Sequence, residues 1–194
     1  MNRFKELVKK LITYIVKPIV WLKITPNQIT FLGLIFTCLS AYFVIIESFY
    51  WSAFYYFLSG LCDAMDGAVA RVSNTQSEFG NFFDSTIDRI ADAVIIFAVV
   101  FMPMHNEYHF VVRNQIFVVG SLTILTASLI SYTRAKAESL GVKGEFGILP
   151  RPERWFLILV MILSQKWVLI LSILAILGLI TVAQRIWSIG KLLR

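Results

Sequence analysis

Along this chain, long apolar runs alternate with short polar stretches rich in lysine and arginine. An uncharged run of about 20 residues is what a helix needs to cross the hydrocarbon core of a bilayer. Residues 29–46 form the first such run. A second begins at the aromatic cluster Phe49, Tyr50 and Trp51, stays uncharged to Cys62, and continues as helix through a charged stretch to Ser73. The third predicted helix covers 81–102 and stops at Pro103, and the fourth covers 115–133. Residues 155–164 make a fifth, short for a span, and 167–183 a sixth. The segment 1–23 has a different pattern. Phe4, Leu7, Val8, Leu11, Ile15, Ile19 and Leu22 recur at helical spacing with lysines mostly on other faces. That predicts an amphipathic helix lying in the membrane interface, bent at Pro18 and ended by Thr25 and Pro26. The expected fold is therefore all-α and integral to the membrane: six transmembrane helices within 27–190, plus the juxtamembrane helix 1–23. No repeat or linker divides the chain, so 1–194 reads as a single domain.

Composition agrees on the medium. Hydrophobic residues make up 58% of the chain, charged residues only 15%, and mean hydropathy is +0.74. Soluble domains run at about 45–50% apolar and about 25% charged. A soluble globular enzyme, a disordered regulator and a secreted disulfide scaffold are excluded. The net charge of +6 comes from 18 Lys and Arg against 12 Asp and Glu. Six spans put both termini on one side, and 16 of the 18 basic residues fall there, leaving only Arg113 and Lys166 opposite. Cytoplasmic loops carry such an excess, so the termini are expected in the cytoplasm of a multi-pass cell-membrane protein. The surplus then reflects topology and contact with membrane lipids rather than nucleic acid.

The acidic residues are harder to place. Asp63, Asp66, Asp84, Asp88 and Asp92 cluster at the cytoplasmic ends of the second and third helices. A charged side chain at the bilayer centre costs about 2.5–3.5 kcal/mol on insertion scales, less near the interface. These carboxylates must face a polar cavity and find positive partners. Asp63 and Asp66 are i and i+3 on one helix, while Asp84, Asp88 and Asp92 form an i+4 ladder on the next. Opposed, the two faces make an oxygen-rich cage suited to Mg²⁺ or Mn²⁺, with room for two ions. The alternative is salt bridging to Arg71 and Arg89, but two arginines cannot neutralise five carboxylates. Gly67 and Gly80 would let a ligand lie against backbone, and Arg71 offers a fork for phosphate oxygens.

These residues resemble a known family. Asp63-Ala-Met-Asp66-Gly67-Ala-Val-Ala70-Arg71, eight residues, then Gly80-Asn-Phe-Phe-Asp84-Ser-Thr-Ile-Asp88 is similar to the CDP-alcohol phosphotransferase signature, D-x2-D-G-x2-A-R-x8-G-x3-D-x3-D. All its fixed positions are filled at the right spacing. The resemblance implies a homodimeric membrane enzyme that moves a phosphatidyl-type group from a CDP-lipid to an acceptor hydroxyl and releases CMP. By the same resemblance, Asp63, Asp66 and Asp84 hold one divalent ion, and Asp63, Asp84 and Asp88 a second. Asp88 is also the general base. Gly67, Arg71, Ser77 and Gly80 contact the CDP part. Pro26, Asn27, Gln28 and Ile29 resemble the family's cytidine-side segment, although a helix cap at the interface explains them equally well.

A second basic cluster bears on the acceptor. Ser131-Tyr-Thr-Arg134-Ala-Lys136-Ala-Glu138 is followed by Arg151-Pro-Glu-Arg154. Ordinary positive-inside charge accounts for these residues as well as a binding role does. Their order is similar to a stretch of the phosphatidylinositol phosphate synthases, where such residues bind the phosphate of inositol 1-phosphate. That resemblance assigns Ser131, Arg134, Lys136, Arg151, Arg154 and Arg185 to acceptor phosphate. Archaetidylinositol phosphate synthases share the pattern, which leaves ester and ether lipid donors open. The alternatives are a phosphatidylglycerol phosphate synthase using glycerol 3-phosphate and, more distantly, an aspartate-lined divalent-cation transporter.

Overall fold

The computed structural model describes Pro18 and residues 20–105, 109–142, 144 and 146–193. The predicted amphipathic helix over 1–23 falls almost wholly outside the described residues. Thr25 fixes where the first helix begins. Its hydroxyl accepts the Gln28 N–H while the Gln28 side chain accepts the Thr25 N–H, a reciprocal cap with Pro26 at the first helical position. Six helices follow in chain order: α1 Pro26–Ile45, α2 Phe49–Val72, α3 Glu78–His105, α4 Phe110–Ser139, α5 Arg151–Ser164 and α6 Trp167–Leu192.

Each predicted run falls on one helix to within a residue at its ends, and several helices outrun it; α3 does not stop at Pro103 but carries it inside and ends at His105. α4 continues past residue 133 to Ser139, and α6 past 183 to Leu192. The apolar run reports where lipid ends; the helix goes on through polar residues that have no reason to break it. α5 begins at Arg151, four residues earlier than its apolar run, with Pro152 in its first turn.

α1 packs on α2 and α3, α4 on α3 and α6, and α5 bridges α2 and α6. Ile95, Ile96 and Met102 of α3, Ile158 and Met161 of α5, and Leu171 and Leu174 of α6 form the main core. Small residues bring helices close where hydroxyls pair across them. A Cβ at Gly33 would stand 3.2 Å from Cys62 Cβ, and beside it Thr37 meets Ser59 at 2.7 Å and Ser40 meets Ser52 at 3.0 Å. Large apolar side chains such as Phe31, Ile35, Phe117, Leu125 and Ile176 point outward and exposed, as a lipid solvent allows. α1, α4 and α6 are long and apolar enough to cross a membrane by length and composition. The other three do not meet that measure: carboxylates interrupt α2 and α3, and α5 has 14 residues, about 21 Å at 1.5 Å each.

The connection from α4 to α5 is held down onto α6. Gly141, with φ +76°, closes α4 in the left-handed conformation that favours glycine. Farther on, the Leu149 N–H donates to Thr181 Oγ1 at 3.1 Å. Arg185 Nε donates to the Phe146 carbonyl at 2.6 Å, and its Nη1 to the Ile130 carbonyl. This seat sets the first turn of α5, with Arg151 and Arg154, against the carboxylates of α2 and α3.

Candidate active site

Two helix ends build the acidic centre. Asp63 and Asp66 come from α2 and Asp84 from α3, and each offers a carboxylate oxygen within 4.8 Å of the others. Asp66 is buried, and its Oδ2 accepts the Thr30 hydroxyl of α1 at 2.6 Å. Asp84 Oδ1 is buried with no hydrogen-bond partner among the described residues. Three carboxylates this close, one oxygen of them unpaired, fit a divalent cation, and an all-oxygen donor set selects Mg²⁺ or Mn²⁺. Asp88 lies outside this trio, one turn further along α3. Arg151 Nη1 contacts both Asp88 Oδ2 and Asp63 Oδ1, so two carboxylates converge on one cationic nitrogen. One more turn along, Asp92 pairs with Arg154 at 2.6 Å, the side chains 15% and 6% exposed. Steps of four on α3 thus meet steps of three on α5.

The salt bridges weighed from the sequence, to Arg71 and Arg89, do not form among these residues. Arg89 donates to the Ser85 carbonyl of its own helix, and Arg71 is exposed beside Gly67. The arginines that do pair lie 88 and 62 residues away in sequence.

Two cavities meet at Asp84. One, about 460 Å³, is lined by Pro26, Asn27, Thr30, Asp66, Gly67, Ser77, Gly80 and Asp84 among others. Ser77 Oγ accepts the Gly80 N–H at 3.0 Å, and a Cβ on Gly80 would stand 3.1 Å from that oxygen. Three residues of the expected CDP-contact set do not line this cavity. Gln28 Oε1 is engaged in the α1 cap, Ile29 is buried in a small apolar cluster with Cys62, Ala68 and Val69, and Arg71 is exposed, with its Nη1 beside Gly67 at the cavity's edge. The other cavity, about 770 Å³, is lined by Asp84, Asp88, Asp92, Ser131, Arg134, Arg151, Arg154 and Arg185 among others. Lys136 is exposed and off this lining, because two positions on from Arg134 is the far side of a helix. Arg134 also pairs with Glu138 at 2.8 Å. Arg185, expected as a phosphate arm, lines this cavity while its Nε and Nη1 donate to backbone carbonyls.

Residues 23–187 match the family model described as CDP-alcohol phosphatidyltransferase. The chain belongs to this family. It is 32% identical to the archaetidylinositol phosphate synthase of Pyrococcus horikoshii over 98% of this chain and 97% of that one. Among solved structures, it is similar to the phosphatidylinositol phosphate synthase of Mycobacterium tuberculosis with CDP-DAG bound, at a TM-score of 0.82 and 25% identity over 94% of each chain. It is also similar to the complex of that enzyme with manganese and citrate, at a TM-score of 0.83 and 25% identity over 93% of this chain and 89% of that one. This CDP-alcohol phosphatidyltransferase is thus a membrane enzyme of phospholipid biosynthesis that uses Mg²⁺ or Mn²⁺.

Three sets of contacts are not foreshadowed by spacing: the Thr30 hydroxyl on Asp66, Arg151 between Asp63 and Asp88, and Arg154 as the counter-charge of Asp92. The first left a trace. Thr30, Thr37 and Ser40 mark one side of an otherwise apolar α1 with hydroxyls, and all three are buried.

Proposed function

We propose that this enzyme transfers a diacyl- or dialkyl-glycerol phosphate group from a CDP-lipid to inositol 1-phosphate, releasing CMP. The observation that carries this reading is the near full-length likeness to an archaetidylinositol phosphate synthase; it favours an inositol phosphate acceptor over glycerol 3-phosphate and over cation transport. The two cavities support it, since each has the chemistry of one substrate. Pro26, Asn27, Gly67, Ser77 and Gly80 line the side assigned to the CDP group, which backbone and small polar groups suit. Ser131, Arg134, Arg151 and Arg154 line the side assigned to the acceptor, whose phosphomonoester carries nearly two negative charges.

Asp63, Asp66 and Asp84 would hold a divalent ion, which when bound neutralises charge on the diphosphate. The second set, Asp63, Asp84 and Asp88, is supported by the convergence of Asp63 and Asp88 on a single cationic nitrogen. In the transfer, the acceptor hydroxyl oxygen bonds to the lipid-side phosphorus. The bond from that phosphorus to the bridging oxygen breaks, CMP leaves with that oxygen, and the hydroxyl proton passes to the Asp88 carboxylate. Arg151 orients Asp88 from the acceptor side.

The same reading makes the chain one domain of six transmembrane helices with cytoplasmic termini and active site, assembled as a homodimer. α5 is short because the connection before it descends to membrane depth, where Leu149 is buried and its N–H is bonded to Thr181. Irregular backbone at that depth is tolerated where protein covers it. Arg113→Cys, placed in a variant lacking Cys38, is expected to react with a membrane-impermeant maleimide on intact cells, and Lys191→Cys only after permeabilisation. The reverse pattern would invert the topology.

The acceptor is tested by a panel. Purified enzyme with CDP-lipid and Mn²⁺ is expected to release CMP with inositol 1-phosphate at least tenfold faster than with glycerol 3-phosphate, as a site built around one acceptor's hydroxyls discriminates by more than that. Faster release with glycerol 3-phosphate would overturn the acceptor assignment.

A further inference from the structure

We propose that Thr30 is a positioning residue for the metal centre, fixing the Asp66 carboxylate from the neighbouring helix. The inference rests on the proposed ligation by Asp66 and adds to it a group from α1, outside the signature of α2 and α3. Thr30 is 6% exposed and sits one turn into α1. Its Oγ1 is 2.6 Å from Asp66 Oδ2 and 3.1 Å from the Pro26 carbonyl. A hydroxyl has one proton to donate, and the shorter contact to an ionised oxygen is the stronger bond.

An ionised carboxylate offers about four lone-pair sites. Thr30 takes one, and the Gly67 N–H takes one on the other oxygen. Both remaining sites belong to a carboxylate that can no longer rotate freely. Donors behind a ligand orient it in this way, and losing one costs about 10–100-fold in metal affinity. α1 is well placed for the task. Its start is locked by the Thr25–Gln28 cap, and the same first turn carries Pro26 and Asn27 into the nucleotide-side cavity. Whatever seats the first turn of α1 therefore also sets the aim of Asp66.

The experiment is a Mn²⁺ titration of the purified enzyme in detergent, with free ion read by electron paramagnetic resonance. Thr30→Val keeps the shape and removes the donor; it is expected to weaken Mn²⁺ binding by about 10–100-fold. Thr30→Ala removes the same donor with less bulk and is expected to do likewise, should the valine variant fold poorly. Thr30→Ser keeps the donor and is expected to keep wild-type affinity. Unchanged Mn²⁺ affinity in folded Thr30→Val or Thr30→Ala protein would overturn the proposal. So would Thr30→Ser binding as weakly as Thr30→Val, which would assign the effect to methyl packing. Asp66→Asn is the control for the metal reading: if it binds Mn²⁺ like the wild type, ligation by Asp66 fails, and the role of Thr30 with it.

Discussion

Asp88→Asn is expected to lower kcat by about 10²–10⁴-fold, the range a positioned general base contributes, while the KM for CDP-lipid stays close to wild type. The substitution keeps the shape of the side chain and removes its charge and basicity. The nucleotide-side cavity is untouched, because neither Asp88 nor its partner Arg151 lines it. The trio Asp63, Asp66 and Asp84 also keeps its three carboxylates. Arg151 loses one of two anionic contacts and retains Asp63, so the acceptor side keeps its cation. CMP release under varied CDP-lipid and varied acceptor separates the two constants. A kcat near wild type would refute the assignment of Asp88 as base. A loss of Mn²⁺ binding as large as that of Asp84→Asn would make Asp88 chiefly a metal ligand.

How far the sequence announced this arrangement follows from which forces act locally. Lipid demands long apolar stretches, so α1, α4 and α6 could be found from composition along the chain, and interrupted or shorter apolar runs marked the other three. The carboxylates were legible for the same reason: five acids at two helix ends are costly unless something gathers them, and i+3 and i+4 spacing says which share a face. What pairs with them was not legible. Arg151 and Arg154 reach Asp63, Asp88 and Asp92 only because Thr181 and Arg185 of α6 hold the preceding connection in place. That is a tertiary contact between segments with no spacing relation. The start of α5 was displaced for a related reason. Its first turn is polar because it faces the carboxylates, so the apolar pattern begins a turn late. Arg185 shows a second role that its place among basic residues did not announce: it lines the larger cavity, and its Nε and Nη1 also hold the carbonyls of Phe146 and Ile130.

The ion pair between Asp92 and Arg154 is expected to dominate stability among the polar contacts. Arg154→Met is expected to destabilise the protein by about 3–5 kcal/mol, the cost of leaving one member of a buried pair alone. Both side chains are nearly covered, and Arg154 Nε is buried with no hydrogen-bond partner among the described residues. The guanidinium therefore depends on Asp92 for its compensation, and Asp92 depends on it. Removing both charges is a different perturbation. Replacing a buried pair by apolar side chains of similar volume is often neutral or stabilising. The double variant Asp92→Leu/Arg154→Met is therefore expected to recover most of the loss, in reversible unfolding at fixed detergent and lipid. A double variant as unstable as the single one would show that the arginine anchors α5 through packing rather than through charge. The recovered protein also separates stability from substrate binding. With Arg154 gone from the wall of the larger cavity, its KM for inositol 1-phosphate is expected to rise while its KM for CDP-lipid does not. That outcome would make the charge pair dispensable for the fold while Arg154 still serves the acceptor phosphate beside Arg134 and Arg151.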